Sequence, residues 1–243
     1  VEWRDQAIVL GLRPHGESGA VVSVLTESHG RQAGMARGAH SVKQRGVLMQ
    51  GNLVWASWRA RLAEQLGTLR CELVDARAAQ ALDDPARLAA LTAACGLTQI
   101  AAPERQPLPA LFGALDALLK ALAHPTWPSV YVHWELALLR GLGYGLDLTC
   151  CAATGVNDGL AYVSPKSGRA VSLSAGEPYA GRLLPLPRFL VDGGEGDPAD
   201  VIGGLALTGY FLDRHVLSAH GLTFPPARDR LVERLKGTQA NRL

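Results

Sequence analysis

From Gln6 to Ala76 the apolar residues come in short runs separated by glycine and polar clusters, which is the spacing of strands. The runs Ala7 to Leu12, Ala20 to Thr26, Gln32 to Arg37, Leu53 to Trp58 and Leu69 to Val74 predict five strands, with one long connection from Gly38 to Gly51. That many strands in so short a stretch point to a small Greek-key barrel of the OB type, and the pattern alone leaves an SH3-like barrel open. Alternation in the fourth run puts Trp58 with Val54 and Ala56 on the apolar face. It puts Trp55 with Ser57, Arg59 and Arg61 on the polar face.

After Ala76 the period becomes helical. Asp84-Pro85 is an N-cap followed by proline in the first turn and opens a helix to about Ile100. Leu108 to Ala123 reads as a second helix, and Ser129 is placed to cap a third, in which Tyr131, Trp134, Leu138 and Leu142 keep helical spacing. Asp197-Pro198 repeats the start signal for a helix to about His220, and a last charged helix spans Ala227 to Lys236. Between the third and fourth, Leu160 to Ser164 and Arg169 to Leu173 flank the turn Pro165-Lys166-Ser167-Gly168 and predict a hairpin. The expected fold class is α+β: an N-terminal five-stranded OB-fold β-barrel over 1–80, then an all-helical domain over 81–243 with a small zinc-ribbon-like hairpin insert at about 146–187.

Composition changes this picture only locally. At 48% hydrophobic and 19% charged, 243 residues can build a real core and divide in two. The formal charge of +2 hides an asymmetry, since residues 1–80 hold ten Lys/Arg against seven Asp/Glu and residues 81–243 hold fourteen against fifteen. The run from Ser28 to Ala63 has no acid at all and carries Arg31, Arg37, Lys43, Arg45, Arg59 and Arg61. A nucleic-acid groove is charged in this way, and so is a solvated loop whose counter-charges come from elsewhere in the fold. With no apolar stretch near the roughly 18 residues of a membrane span, no signal-type apolar region at the start and no disulfide framework, a reducing cytoplasm is the expected compartment.

Catalytic and metal signatures are missing where they would be sought. Gly141-Leu142-Gly143-Tyr144-Gly145 follows a helix instead of a strand, so it reads as helix termination, not as a dinucleotide fingerprint. Gly16-Glu17-Ser18-Gly19 lacks the spacing of a nucleophile elbow, and there is no P-loop. Cys150 and Cys151 stand where a zinc knuckle would begin, but Ala153 and Thr154 occupy the positions of the second thiol. Neither a catalytic residue nor a metal ligand set is therefore expected. Trp55 beside Arg59 and Arg61 is a candidate base-stacking platform.

The segments Ala7-Ile8-Val9-Leu10 with Arg13-Pro14-His15-Gly16-Glu17, Leu25 to Arg31, Ala36-Arg37-Gly38-Ala39 with Lys43 and Arg45, Trp134 to Leu139 through Gly145 and Cys151, and Ser164 to Gly168 together resemble the RecO family of bacterial recombination mediators. They run in the family's order over most of residues 6–190. The resemblance implies an OB-fold DNA-binding domain, a helical domain, binding of single- and double-stranded DNA and annealing of complementary strands. It also implies loading of RecA onto strands coated by single-stranded DNA-binding protein, with RecR as partner. Some relatives carry a four-cysteine zinc site in the insert; only Cys150 and Cys151 remain here, so no cofactor is expected.

The expected DNA contacts are Arg13, Arg31, Arg37, His40, Lys43, Arg45, Trp55, Arg59 and Arg61. The resemblance further implies that the acidic, apolar tail of single-stranded DNA-binding protein docks on the helical domain. Arg140 or Arg214 would be its cation. A protein-only adaptor and a hydrolase with a convergent site are the competing classes; the acid-free basic run speaks against the first, and the missing nucleophile spacing against the second.

Overall fold

A computed structural model describes residues 1–240; the last three positions of the expected 81–243 domain lie outside the described residues. The strands β1 (Glu2–His15), β2 (Gly19–Thr26), β3 (Gly30–Ala36), β4 (Leu53–Arg59) and β5 (Gly67–Asp75) close a barrel in the order β1-β2-β3-β5-β4. All pairings are antiparallel except β3 with β5, the Greek-key order of an OB fold, which excludes the SH3-like alternative.

β1 begins five residues earlier than its apolar run suggests. Its first half pairs with β4 from Glu2↔Arg59 to Ile8↔Leu53, and its second half pairs with β2. Alternating Glu2, Trp3, Arg4 and Asp5 concealed this extension, because one side of that segment faces solvent. The run Ala7-Ile8-Val9-Leu10 is apolar on both sides for a different reason. Ala7 and Val9 fill the barrel with Val22, Val24, Val54, Ala56 and Trp58, while Ile8 and Leu10 are buried on the opposite side of the sheet. The helix α2 (Pro85–Ala101) packs on β1 and β2 there, through Ala90, Leu91, Ala94 and Leu97.

Closure of the barrel depends on two glycines. Gly34 and Gly67 are register partners where β3 meets β5. A Cβ on Gly67 would lie 2.4 Å from the Trp58 ring, and one on Gly34 would lie 2.7 Å from Leu69 Cβ. The Trp58 indole covers this seam and donates from Nε1 to the Ala33 carbonyl at 2.9 Å. The long basic connection is not all loop: Ser41 caps a short helix α1 (Val42–Val47) by accepting from Gln44 N–H.

Two compact units form, Val1–Ala123 with Pro225–Arg228, and His124–Phe224 with the chain from Asp229 onward. Thus α2 and α3 (Pro109–Ala121) are grouped with the barrel by their contacts, and the division between the compact units falls at 123/124. The physical reason is that α2 buries its alanine-rich face on the outer side of β1 and β2. Arg77, 1% exposed, reinforces this unit by bridging Asp75 at 3.1 Å and Asp116 of α3 at 2.7 Å.

In the second unit α4 (Trp127–Gly141) starts two residues before Ser129. Thr126 is the residue before its first turn, and Ser129 Oγ instead accepts the Gly196 N–H at 3.0 Å. Strands β6 (Leu160–Val163) and β7 (Ala170–Ser172) form the expected hairpin, followed by the short helix α5 (Leu173–Gly176), a short strand β8 (Leu184–Pro185) that adds to β6, and one turn, α6 (Phe189–Asp192). Helix α7 (Pro198–Phe211) is capped by Asp197 and packs on α4, where Gly204 allows close approach to Val132 and Thr208 hydrogen-bonds the buried Glu135. It continues into a π-helical turn, Leu212–Leu217, so the helix expected to His220 widens before it ends. The last helix is α8 (Pro226–Ala240). No helix among the described residues is long and apolar enough to cross a membrane.

Candidate nucleic-acid interface

The acid-free run meets its counter-charges only in part. Arg31 on β3 is half-buried; its Nε donates to the Ala102 carbonyl at 2.7 Å and its Nη1 pairs with Glu104 at 3.1 Å. Its guanidinium therefore anchors the chain after α2 to the barrel. Arg59 lies 3.9 Å from Glu2, both exposed, a pair worth little in water. Arg13, Arg37, Lys43, Arg45 and Arg61 make no ion pair among the described residues and are exposed.

Register brings several of these cations onto one surface. A groove runs over the ends of β3, β4 and β5 and is lined by Arg37, Gln44, Arg59 and Arg70, with the carboxylates of Glu2 and Glu72 also at its wall. A second recess shares Glu2, Arg59 and Thr68 with it and adds Arg61, so Arg37, Arg70, Arg59 and Arg61 lie along one continuous track. His40, Lys43 and Arg45 are exposed beside it, on α1 and the turn before it, whose Gln44 lines the groove. Arg13 lies elsewhere, on the part of β1 paired with β2.

Arg70 was missed in the sequence because it follows Glu64 and so falls outside the acid-free run; its position on the outer side of β5, opposite Ser57, was the available signal. Trp58 is core, as alternation requires, and Trp55 is 38% exposed. One face of Trp55 is covered by the Arg4 guanidinium at 5.2 Å from the ring centroid, and Arg4 is held by Glu72 at 2.9 Å. Cys71 also borders the groove, with burial pushing its thiol up to about 12, so it stays neutral and unreactive.

In the second unit Arg140 stands at a groove of about 730 Å³ with Leu136, Leu146, Leu190 and Val191, which Asp147, paired with Arg169 at 3.4 Å, also lines. Arg214 is not part of it and donates to Tyr210 Oη at 2.9 Å. His133, which also lines the groove, has its pKa lowered by burial beside Phe189.

The hairpin insert is tied by its backbone: Cys151 N–H donates to Val156 O, Gly155 N–H to Cys151 O and Ala152 N–H to Ala170 O. Cys151 Sγ accepts the Ser172 N–H at 3.3 Å, and hydrogen bonds from Ser172 and Thr154 lower its pKa. One buried thiol among hydroxyls is not the donor set of a tetrahedral zinc site. Among the described residues no three His, Cys, Asp or Glu side chains are grouped to hold a metal ion.

An OB barrel bearing a basic track, in which only Arg59 is ion-paired among the described residues, followed by a helical unit with a hairpin insert, places the chain in the class of α+β proteins built on an OB fold. The sequence model described as Recombination protein O N terminal matches residues 1–77, and that described as Recombination protein O C terminal matches residues 82–222. The chain is 56% identical over 238 residues to the DNA repair protein RecO of Rhodospirillum centenum, covering 97% of this chain and 95% of that protein. It is 48% identical to those of Rhodospirillum rubrum, at 97% of both chains, and Phenylobacterium zucineum, at 100% of both. The chain belongs to the RecO family, whose role is in DNA repair and recombination.

Proposed function

We propose that this chain is a recombination mediator that binds single- and double-stranded DNA, anneals complementary strands and helps load RecA onto strands coated by single-stranded DNA-binding protein, together with RecR. The observation that carries this reading is the track Arg37, Arg70, Arg59 and Arg61 on an OB barrel, flanked by His40, Lys43 and Arg45. Such contacts neutralise phosphates without reading sequence, and binding then falls steeply with salt through counterion release. Lowered repulsion between two polyanions lets base pairing proceed, so annealing requires no covalent chemistry and the protein acts without a catalytic residue or cofactor, its hairpin metal-free. Arg13, on a different part of the barrel, and the half-covered Trp55 add further contacts. The Arg140 groove takes the acidic, apolar tail of single-stranded DNA-binding protein, and the protein works in the cytoplasm at the nucleoid. The family boundary between 77 and 82 supports a DNA-binding domain over 1–80 and a partner-binding domain over 81–243.

The test is annealing of two fluorescently labelled complementary oligonucleotides, bare and then coated with single-stranded DNA-binding protein, across a salt series. Acceleration that fades with salt is the expected result. Absence of both acceleration and DNA binding would leave a protein-only adaptor.

A further inference from the structure

The pairing of β3 with β5 that closes the barrel consists of Gly34 with Gly67 and Met35 with Thr68. Ahead of it, β3 from Gly30 to Ala33 has no β5 beside it, because β5 begins only at Gly67, after the β4–β5 loop of residues 60–66. The connection between α2 and α3 takes that edge. Arg31 and Glu104 form a parallel bridge, the Arg105 N–H donates to the Arg31 carbonyl at 2.9 Å, and a side chain on Gly30 would strike the Gln106 backbone. Residues 102–106 are thus a strap laid along the end of β3.

Within the strap, Arg105 has a left-handed backbone at φ 59°, a conformation natural to glycine and disfavoured for an arginine. Its side chain shows what offsets the strain: Arg105 Nη2 donates to the Glu64 carbonyl at 2.9 Å, across 41 residues of sequence. Residues 61–66 are all exposed, and among the described residues this is the one hydrogen bond that joins them to the rest of the fold. Arg61 stands on this loop, and with Arg59 it forms one end of the basic track.

We propose that Arg105 is a positioning residue for the basic track: its guanidinium, carried by the strap on β3, tethers the β4–β5 loop so that Arg61 stays in line with Arg59, Arg70 and Arg37. An exposed loop without such a tether samples many conformations, and a cation that must be ordered on binding contributes less than one already in place. The planar guanidinium suits the task, because its fork of donors meets a fixed carbonyl with little further loss of freedom. This inference rests on the DNA-binding reading and adds to it a residue that acts through Arg61 from outside the track.

Arg105→Gly removes the tether and suits the left-handed backbone, so the fold is not put at risk. The first readout needs no DNA. Trypsin cleavage after Arg61, followed by mass spectrometry of the fragment that ends there, is expected to be about tenfold faster in the variant, the effect of losing one charge-assisted hydrogen bond, with cleavage after Lys43 unchanged. The second readout is anisotropy titration of a single-stranded oligonucleotide across a salt series, for Arg105→Gly, Arg61→Ala and the double variant. Each single variant should lower the slope of log affinity against log salt by about one, and the double variant should fall no further. Unchanged cleavage after Arg61, equally faster cleavage at both sites, or faster cleavage with unchanged binding overturns the inference. Additive losses in the double variant would mean that Arg105 meets a phosphate itself, and also overturn it. If the unaltered protein binds no oligonucleotide, the DNA-binding reading itself fails, and this inference with it.

Discussion

Gly34 and Gly67 face each other across the parallel pairing that closes the barrel, and the Trp58 ring lies over Gly67 where any side chain would stand. The closure is a packing arrangement in which absent side chains matter as much as present ones. The strands beneath the candidate DNA track owe their positions to it.

Gly67→Ala places a Cβ 2.4 Å from the Trp58 ring, in a region buried on both sides. The indole must move and weaken its bond to the Ala33 carbonyl. The expected loss is about 3 kcal/mol, at the upper end for overpacking by one carbon. Urea unfolding followed by tryptophan fluorescence checks it, with Gly46→Ala, where nothing lies within 4 Å, as the control expected to be near neutral.

Asp116 faces Arg77, which is buried and retains only Asp75 if Asp116 is removed. Asp116→Ala is expected to cost about 3 kcal/mol, because a buried guanidinium is left short of charge compensation. Burial pulls the Asp116 pKa up, but hydrogen bonds and charge from Lys120 and Arg77 outweigh it and hold the carboxyl below its ordinary 3.8. A depressed carboxylate contributes stability above its unfolded value and loses it as pH falls through the folded one. The gap between wild type and Asp116→Ala in urea midpoint should therefore be full at roughly pH 7 and shrink below 3.8.

Arg31 and Arg37 stand only six residues apart, yet opposite outcomes are expected of them. Arg37→Ala with Arg70→Ala should weaken oligonucleotide binding and reduce the slope of log affinity against log salt by about two, with little change in thermal stability. Arg31→Ala should lower stability by breaking the Ala102 and Glu104 contacts while leaving the contribution of the basic track to the slope in place. Anisotropy titrations in a salt series and thermal melts separate the two.

His133 borders the Arg140 groove, and burial holds its pKa below the ordinary 6.5. A lowered histidine favours the unfolded chain when protons are added, so its contribution to stability is complete above 6.5 and is lost as pH falls through the folded value. Protonation also adds a positive charge beside Arg140. An acidic peptide with the tail chemistry proposed above should bind more tightly as pH falls below 6.5, and His133→Ala should remove that pH dependence while Arg140→Ala weakens binding at every pH. Peptide anisotropy from neutral to mildly acidic pH measures both effects.

Much of this protein was legible along the chain. The alternation in Leu53 to Arg59 assigned Trp58 to the core and Trp55 to the outside, because side chains on a strand point to opposite faces. Asp84-Pro85 and Asp197-Pro198 marked two helix starts through a capping chemistry that is complete within four residues. The turn at Pro165 to Gly168 and the thiols missing from the hairpin were likewise local facts. Ser129 misled because its hydroxyl, well placed in sequence to cap a helix, is taken by the distant Gly196 N–H.

What the tertiary structure alone decided is which charges remain unpaired. Arg31 and Arg37 look alike in a list of basic residues, but Glu104 and the Ala102 carbonyl reach the first and nothing among the described residues pairs with the second. Arg70 joined the track through strand register. Sequence determines propensities that act over a few residues, whereas Coulomb interaction and packing act over a few ångströms. Only folding converts the one distance into the other.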